Sequence, residues 1–168
     1  MSIEKIVEEI LKEIDSSHCE NLIVIGSDHG GFEYKEFLKP FLENLGYSVF
    51  DCGCFSKESV DYPDFAYKTG KEFFNKKAKF GIFIDGAGIG SAIVLNKIKG
   101  IRAAHCSNTF EAYNARAHNN ANFLTLGSRV IGTELMKLIV EKFLTTEFEG
   151  GRHLKRVNKI IEIDNANR

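Results

Sequence analysis

The feature that most constrains this chain is a rhythm: short apolar runs suited to strands alternate with amphipathic stretches suited to helices. The runs are LIVIGSD (22–28), YSVFDC (47–52), KFGIFID (79–85), GIRAAHC (100–106) and NFLTLGS (122–128). The helical stretches are FEYKEFLKPFLENLG, DYPDFAYKTGKEFFNK, GIGSAIVLNKI, NTFEAYNARAH, TELMKLIVEKFL and a closing HLKRVNKIIEI. Strands joined through helices run parallel, because a parallel pair needs a crossover. Runs apolar throughout belong to a sheet covered on both faces. The expected fold is therefore α/β: a three-layer, doubly wound, Rossmann-like domain with a five-stranded parallel sheet. At 168 residues the chain suits one such domain. Gly46 is the expected C-cap of its helix, and Pro40 should kink or split that helix.

One segment falls outside the rhythm. Ile3, Ile6, Val7, Ile10, Leu11 and Ile14 recur at helical spacing opposite an acidic and basic face, with Ser2 placed to cap. The polar stretch DSSHCEN follows. Residues 1–20 read as an amphipathic helix with its linker, and residues 21–168 as the domain, including the C-terminal helix.

Charge narrows the function. Lys plus Arg total 22 and Asp plus Glu 23, so no electrostatic excess points to nucleic acid or an anionic membrane. No apolar run approaches the roughly 20 residues of a membrane helix, and the N-terminus does not read as a signal peptide. Cys19, Cys52, Cys54 and Cys106 lack metal-ligand spacing, so reduced thiols and a cytoplasmic setting are expected.

In doubly wound sheets ligands bind beyond the carboxyl ends of the strands. Those ends hold Ser27-Asp28-His29-Gly30-Gly31, Asp85 with GAGIG, His105-Cys106-Ser107 and Gly127-Ser128-Arg129. Ala117-His118-Asn119-Asn120 precedes the fifth strand, and GGRHLKR supplies Arg152, His153 and Arg156. Singly, each has a plain reading: Asp28 and Asp85 as helix caps, GAGIG as a turn, Arg152 and Arg156 as a solvated face. Together they suit a small phosphorylated sugar. Gly-rich loop amides attract a negative oxygen, arginines fork onto phosphate, and carboxylate, imidazole and amide groups handle protons and hydroxyls. A nicotinamide site fits poorly, since the third glycine of GxGxxG and a ribose-binding acid are missing. A P-loop lacks its GK[ST], and a receiver domain lacks its paired acids and lysine.

At this point the sequence resembles the type B ribose 5-phosphate isomerases, grouped with the subunits of galactose 6-phosphate isomerase. The resemblance rests on GSDHGGFEYK, DYPDFA, GAGIG, NKIKGIRAA, HNNANFLTLGSRVIG and GGRHLKRV, in that order, over about residues 21 to 160. It implies aldose–ketose isomerisation of ribose 5-phosphate through a cis-enediolate, without metal or cofactor. It also implies a homodimer or homotetramer whose active sites take residues from two chains. By resemblance Asp28 holds substrate hydroxyls, and His29, Arg129, Arg152 and Arg156 bind phosphate. Tyr62 lines the sugar, His118 assists ring opening beside Asn119, and the amides of Gly86 to Gly90, Gly88 included, receive the enediolate.

The chain departs from the pattern at the centre of the chemistry. One branch of the family has a cysteine base immediately before the glycine loop, where this chain has Asp85. Another has a glutamate just after it, where this chain has Ser91. A hydroxyl residue that follows the first glycine in relatives is Ala87 here. Asp85 is then the expected base: a free carboxylate is ionised at neutrality, with a pKa of about 3.9 against about 8.5 for a thiol. The alternatives are an isomerase of another sugar phosphate, galactose 6-phosphate-like, or a weakly active sugar-phosphate-binding homologue or partner subunit. The N-terminal helix is read either as an extra packed helix or, from its form, as a tag directing the chain to a bacterial microcompartment shell through residues 1–15.

Overall fold

The computed structural model describes Lys5 and residues 21–167. The N-terminal helix and its targeting role lie, apart from Lys5, outside the described residues. The elements run β1 (Leu22–Ser27), α1 (Phe32–Asn44), β2 (Ser48–Asp51), α2 (Tyr62–Asn75), β3 (Phe80–Asp85), α3 (Ile89–Leu95), β4 (Ala103–His105), α4 (Thr109–Ala117), β5 (Phe123–Gly127), α5 (Thr133–Thr145) and α6 (Gly151–Ala166). The five strands form one parallel sheet in the order β2-β1-β3-β5-β4. The expected α/β fold is the one observed.

Strand alternation divides the core between the faces. Ile23, Ile25, Ile82, Ile84, Leu124 and Leu126 pack on Leu38 and Leu42 of α1, Ala112 of α4 and Phe143 of α5. Val24, Phe83 and Phe123 face the other way, onto Ala66 and Phe73 of α2 and Leu95 of α3. Each large apolar side chain fully buried here contributes about 1.5–3 kcal/mol relative to exposure. α6 differs, burying only His153 and Val157.

Local signals set the boundaries. Gly46 has φ +87°, its N–H donates to Glu43 O and that of Tyr47 to Leu42 O, which closes α1 by the expected glycine stop. Pro40 does not split α1, which is a single helix of 13 residues. β4, an edge strand, is only three residues long. The Asn96 side chain occupies its outer edge, bonding both the N–H and the carbonyl of Ala103 at 2.9 Å. Under the β2 edge, fully buried Lys35 reaches Asp51 at 2.5 Å, and Lys39 reaches the same oxygen at 2.9 Å.

From β1 the chain moves one way to β2 and the other way to β3. The carboxyl ends of β1 and β3 therefore flank the crevice where such sheets bind ligands. Ser27-Asp28 and Asp85 stand there.

Candidate active site

Asp85 ends β3 and is 4% exposed. Gly88, at φ +77°, turns the loop back over it. The carboxylate draws the loop amides inward: Oδ1 accepts the N–H of Ala87 at 2.8 Å and that of Gly88, while Oδ2 accepts the N–H of Ser91 at 3.1 Å. The glycine loop thus cradles an anion, and the anion is the chain's own side chain.

Asp28 lies alongside, 8% exposed, with Oδ1 accepting the Gly31 N–H at 2.9 Å. Burial first, and the nearby Asp85 charge after it, push its carboxyl above the ordinary range, against the pull of the Gly31 N–H and of His29. A side chain on Gly31 would strike the Ile84 carbonyl, 2.0 Å from its Cβ, so only glycine lets the β1 loop pass β3. Three loops are laced together: Ser128 Oγ donates to Gly30 O at 2.7 Å, the Ser128 N–H to Asp85 O at 2.8 Å, and the Arg129 N–H to Gly86 O at 3.0 Å. The Arg129 side chain stands over Gly86, its Nε 3.6 Å from where a Cβ there would sit. Tyr62, 39% exposed at the start of α2, lies against Gly90, whose Cβ would come within 2.6 Å of its ring. His29 Nδ1 meets both the N–H and the carbonyl of Val60 at 3.2 Å. Asp28, His29, Tyr62, Asp85, Gly86, Gly88, Gly90 and Arg129 thus share one edge of the sheet.

The remaining sequence candidates do not join them. His118 and Asn119 follow α4 and precede β5, at the amino edge. Gly127 pairs with Asp85, whereas Asn122 O accepts the Gly81 N–H. Five strand residues separate these levels, roughly 17 Å at the usual rise. Arg152 and Arg156, both exposed on α6, belong to this second group. His118 Nδ1 is 2.9 Å from Asn114 Nδ2, and its ring stacks on His153 with centroids 4.0 Å apart and planes 4° apart. Glu149 Oε2 lies 3.6 Å from His118 Nε2 and 3.7 Å from His153 Nε2. The Tyr113 hydroxyl donates to Glu149 Oε1 at 2.6 Å, which first among several causes holds that carboxyl below its usual range. Burial and then the neighbouring His118, Arg152 and Arg156 charges push His153 down.

Among the described residues, His118, Glu149 and His153 place ligand atoms within 4.8 Å of one another. Parallel rings aim their lone pairs along parallel lines, so as placed the two imidazoles cannot both take one ion in their planes. A groove of about 1130 Å³ runs beside β4, lined among others by Asn114, Asn119, Phe110, Ile160 and Ile161, and includes neither Asp28 nor Asp85. The Cys52 and Cys106 thiols are packing groups: burial pushes Cys52 up to about 11 and Cys106 up to about 12. Sequence reasoning missed Glu149, Tyr113 and Asn114 as companions of His118. Only the nearness of Glu149 to GGRHLKR hinted at the first.

Comparison with known proteins fits this geometry. Residues 23–160 match the model of the Ribose/Galactose Isomerase family. Ribose-5-phosphate isomerase B of Escherichia coli K12 is 42% identical over 142 residues, covering 84% of this chain and 95% of the relative. The D-erythrulose-4-phosphate isomerase of Pectobacterium atrosepticum is also 42% identical, over 139 residues, 82% of this chain and 91% of the relative. The solved structure of Clostridium thermocellum ribose-5-phosphate isomerase B is 47% identical and superposes with a TM-score of 0.85, covering 88% of this chain and 99% of that one. Fold and family match define an enzyme of the sugar-phosphate isomerase class. The chain belongs to the Ribose/Galactose Isomerase family.

Proposed function

We propose that the chain interconverts ribose 5-phosphate and ribulose 5-phosphate through a cis-enediolate, with Asp85 as the base and each site completed by a second copy of the chain. The seat of Asp85 carries this reading: a buried carboxylate at the mouth of the crevice, where relatives place their base. Its two oxygens are unequal. Oδ1 accepts two N–H groups, which commits both its lone pairs, while Oδ2 accepts only that of Ser91. Oδ2 takes the proton from C2 as the C1 carbonyl becomes the enediolate oxygen, the O2 proton passes to O1, and Oδ2 returns its proton to C1 as the carbonyl re-forms at C2. Asp28 receives substrate hydroxyls, and Tyr62 walls the sugar. The Gly86 and Gly90 amides, which the carboxylate does not engage, face the developing oxyanion.

The division of the candidates between two edges supports a shared site. Phosphate needs several donors, and of the four phosphate-binding candidates one chain brings His29 and Arg129 to the carboxyl edge. His118, Asn119, Arg152 and Arg156 of a second copy supply the ring-opening and phosphate-binding groups, in a homodimer or homotetramer.

A shifted substrate is the second reading, because the tetrose- and pentose-phosphate relatives stand at the same identity. A third is a binding homologue, favoured by the capture of the Ala87, Gly88 and Ser91 amides by Asp85. Turnover with ribose 5-phosphate, erythrulose 4-phosphate and hexose 6-phosphates, aldose and ketose, separates the three. Ribose 5-phosphate turnover that Asp85→Asn abolishes is the expected result. Preference for a tetrose or hexose moves the substrate, and binding without turnover makes the chain a binder.

A further inference from the structure

α6 buries two side chains, and one of them, His153, has no part in the reaction as read above. It is 5% exposed, and its ring is stacked on that of His118, which fixes its plane. Its Nε2 accepts the Nε–H of the adjacent Arg152 at 3.3 Å. Glu149 Oε2 lies 3.7 Å from the same nitrogen, beyond hydrogen-bond reach. A ring that accepts at Nε2 is neutral and carries its hydrogen on Nδ1, because an Nε2–H would set two donors face to face. Burial, and then the His118, Arg152 and Arg156 charges, favour that neutral form against the pull of Glu149.

We propose that His153 is a positioning residue for phosphate: it holds Arg152 by Nε, so that the guanidinium presents its two terminal amino groups outward as a fork. A guanidinium grips an anion either from its Nε side or from its two Nη ends, and the bond to His153 occupies the first. The second remains, facing away from the buried ring. An exposed arginine otherwise keeps the rotamer freedom of a long side chain, and ordering it on binding weakens the complex. Here the ordering is done beforehand, by a group that stacking and burial have already immobilised. Arg156 lies one turn further on the same side of α6, so both cations leave the helix in one direction. The inference rests on the reading of Arg152 as a phosphate ligand supplied to a second copy's crevice. His153 itself touches neither the phosphate nor the reacting carbons.

Two replacements separate the acceptor from the ring. His153→Gln keeps an acceptor at the place of Nε2 but loses the stack, whereas His153→Phe keeps a flat ring on His118 but loses the acceptor. On the full chain, the apparent dissociation constant of ribose 5-phosphate, read by calorimetry, should rise about fivefold in His153→Phe and stay within about twofold of wild type in His153→Gln. In an Arg152→Ala background, where affinity is already lower, adding His153→Phe should change it by less than about twofold, since no guanidinium is left to hold. The chain has five histidines, so histidine-selective 15N spectra, assigned with His153→Gln, read the tautomer directly. His153 should carry Nδ1–H in wild type and shift toward Nε2–H in Arg152→Ala. Additive losses from His153→Phe and Arg152→Ala overturn the proposal, as does a wild-type His153 that carries Nε2–H. Unchanged affinity in Arg152→Ala overturns the phosphate reading of Arg152 and the proposal with it. A loss in Arg152→Ala that His153→Phe does not share overturns the proposal alone. Thermal melts identify any His153 variant that loses affinity by unfolding, and the spectra of wild type and Arg152→Ala then decide.

Discussion

At the carboxyl edge Asp85 and Asp28 are 4% and 8% exposed and bonded to backbone N–H groups of their own loops, whereas at the amino edge the Glu149 side chain is 46% exposed and Arg152 and Arg156 are exposed, with Arg152 Nε donating to His153 Nε2 at 3.3 Å. The first arrangement is built on strand ends and is internally closed. The second is built on helix ends and side-chain contacts, with its cations turned outward. On the proposed reading two copies meet edge to edge, the exposed cations of one facing the closed carboxylate loops of the other.

The sharpest way to break this comparison is at Asp85. Asp85→Asn keeps the size and an acceptor but not the charge, and kcat is expected to fall about 10³-fold, as for loss of a general base. Retained kcat removes Asp85 from that role. Asp85→Cys, which restores the residue relatives carry, should retain more activity than the Asn variant in the same assay.

Next comes the division itself. Chains carrying only Asp85→Asn or only His118→Ala should each be nearly inactive. Co-expressed, they should recover about one quarter of wild-type activity, since half of randomly paired dimers are mixed and each mixed dimer has one intact site. No recovery means that each chain works alone. Arg156→Ala tests the outward-facing cations more gently: KM for the sugar phosphate should rise about tenfold, with kcat little changed, as expected for loss of a phosphate-binding charge.

The smallest effect concerns stability. Asp28 has its carboxyl raised by burial, so the folded chain holds that proton more tightly than the unfolded one. Its ionisation therefore opposes folding, and stability falls as pH rises from the ordinary carboxyl range through the raised one. Asp28→Asn should raise Tm by about 2 °C at neutral pH while lowering turnover. Asp51 is the opposite case. Burial pushes its carboxyl up, but hydrogen bonds from Lys35, Lys39 and the Gly53 N–H overcome this and leave it lowered. Its contribution is present above the ordinary carboxyl value and is lost as pH falls through the lowered one. Thermal melts of the two variants Asp28→Asn and Asp51→Asn across acid pH should show opposite slopes relative to wild type.

The same contrast governs what could be read before the structure. Asp28, Asp85 and the glycine loop were legible because a strand end followed by glycines is a local pattern with one geometric outcome. That Asp85 consumes the Ala87 and Gly88 amides was not legible, since the pattern shows donors and acceptor but not which pair. Glu149 was missed because its partners Tyr113 and His118 lie 36 and 31 residues earlier, and only packing joins them. β4 shrank from the expected run to Ala103–His105 because Asn96, on a different element, takes the place of a further strand. Pro40 was tolerated inside α1, where its side is exposed.

Gly88 carries several duties at once. Its left-handed φ turns the loop, its N–H serves Asp85, its carbonyl receives the Thr125 hydroxyl at 2.7 Å, and its bare face admits His105, whose Nδ1 would lie 2.4 Å from an added Cβ. Its neighbour Ala87 is exposed and contributes only an N–H to Asp85. Along this one loop, evolutionary freedom is therefore distributed unevenly. A library that randomises residue 88 should sample few folded loops, whereas Ala87→Thr adds a hydroxyl at an exposed position next to Asp85. For new substrates or faster chemistry from this scaffold, residue 87 is the place where change costs least.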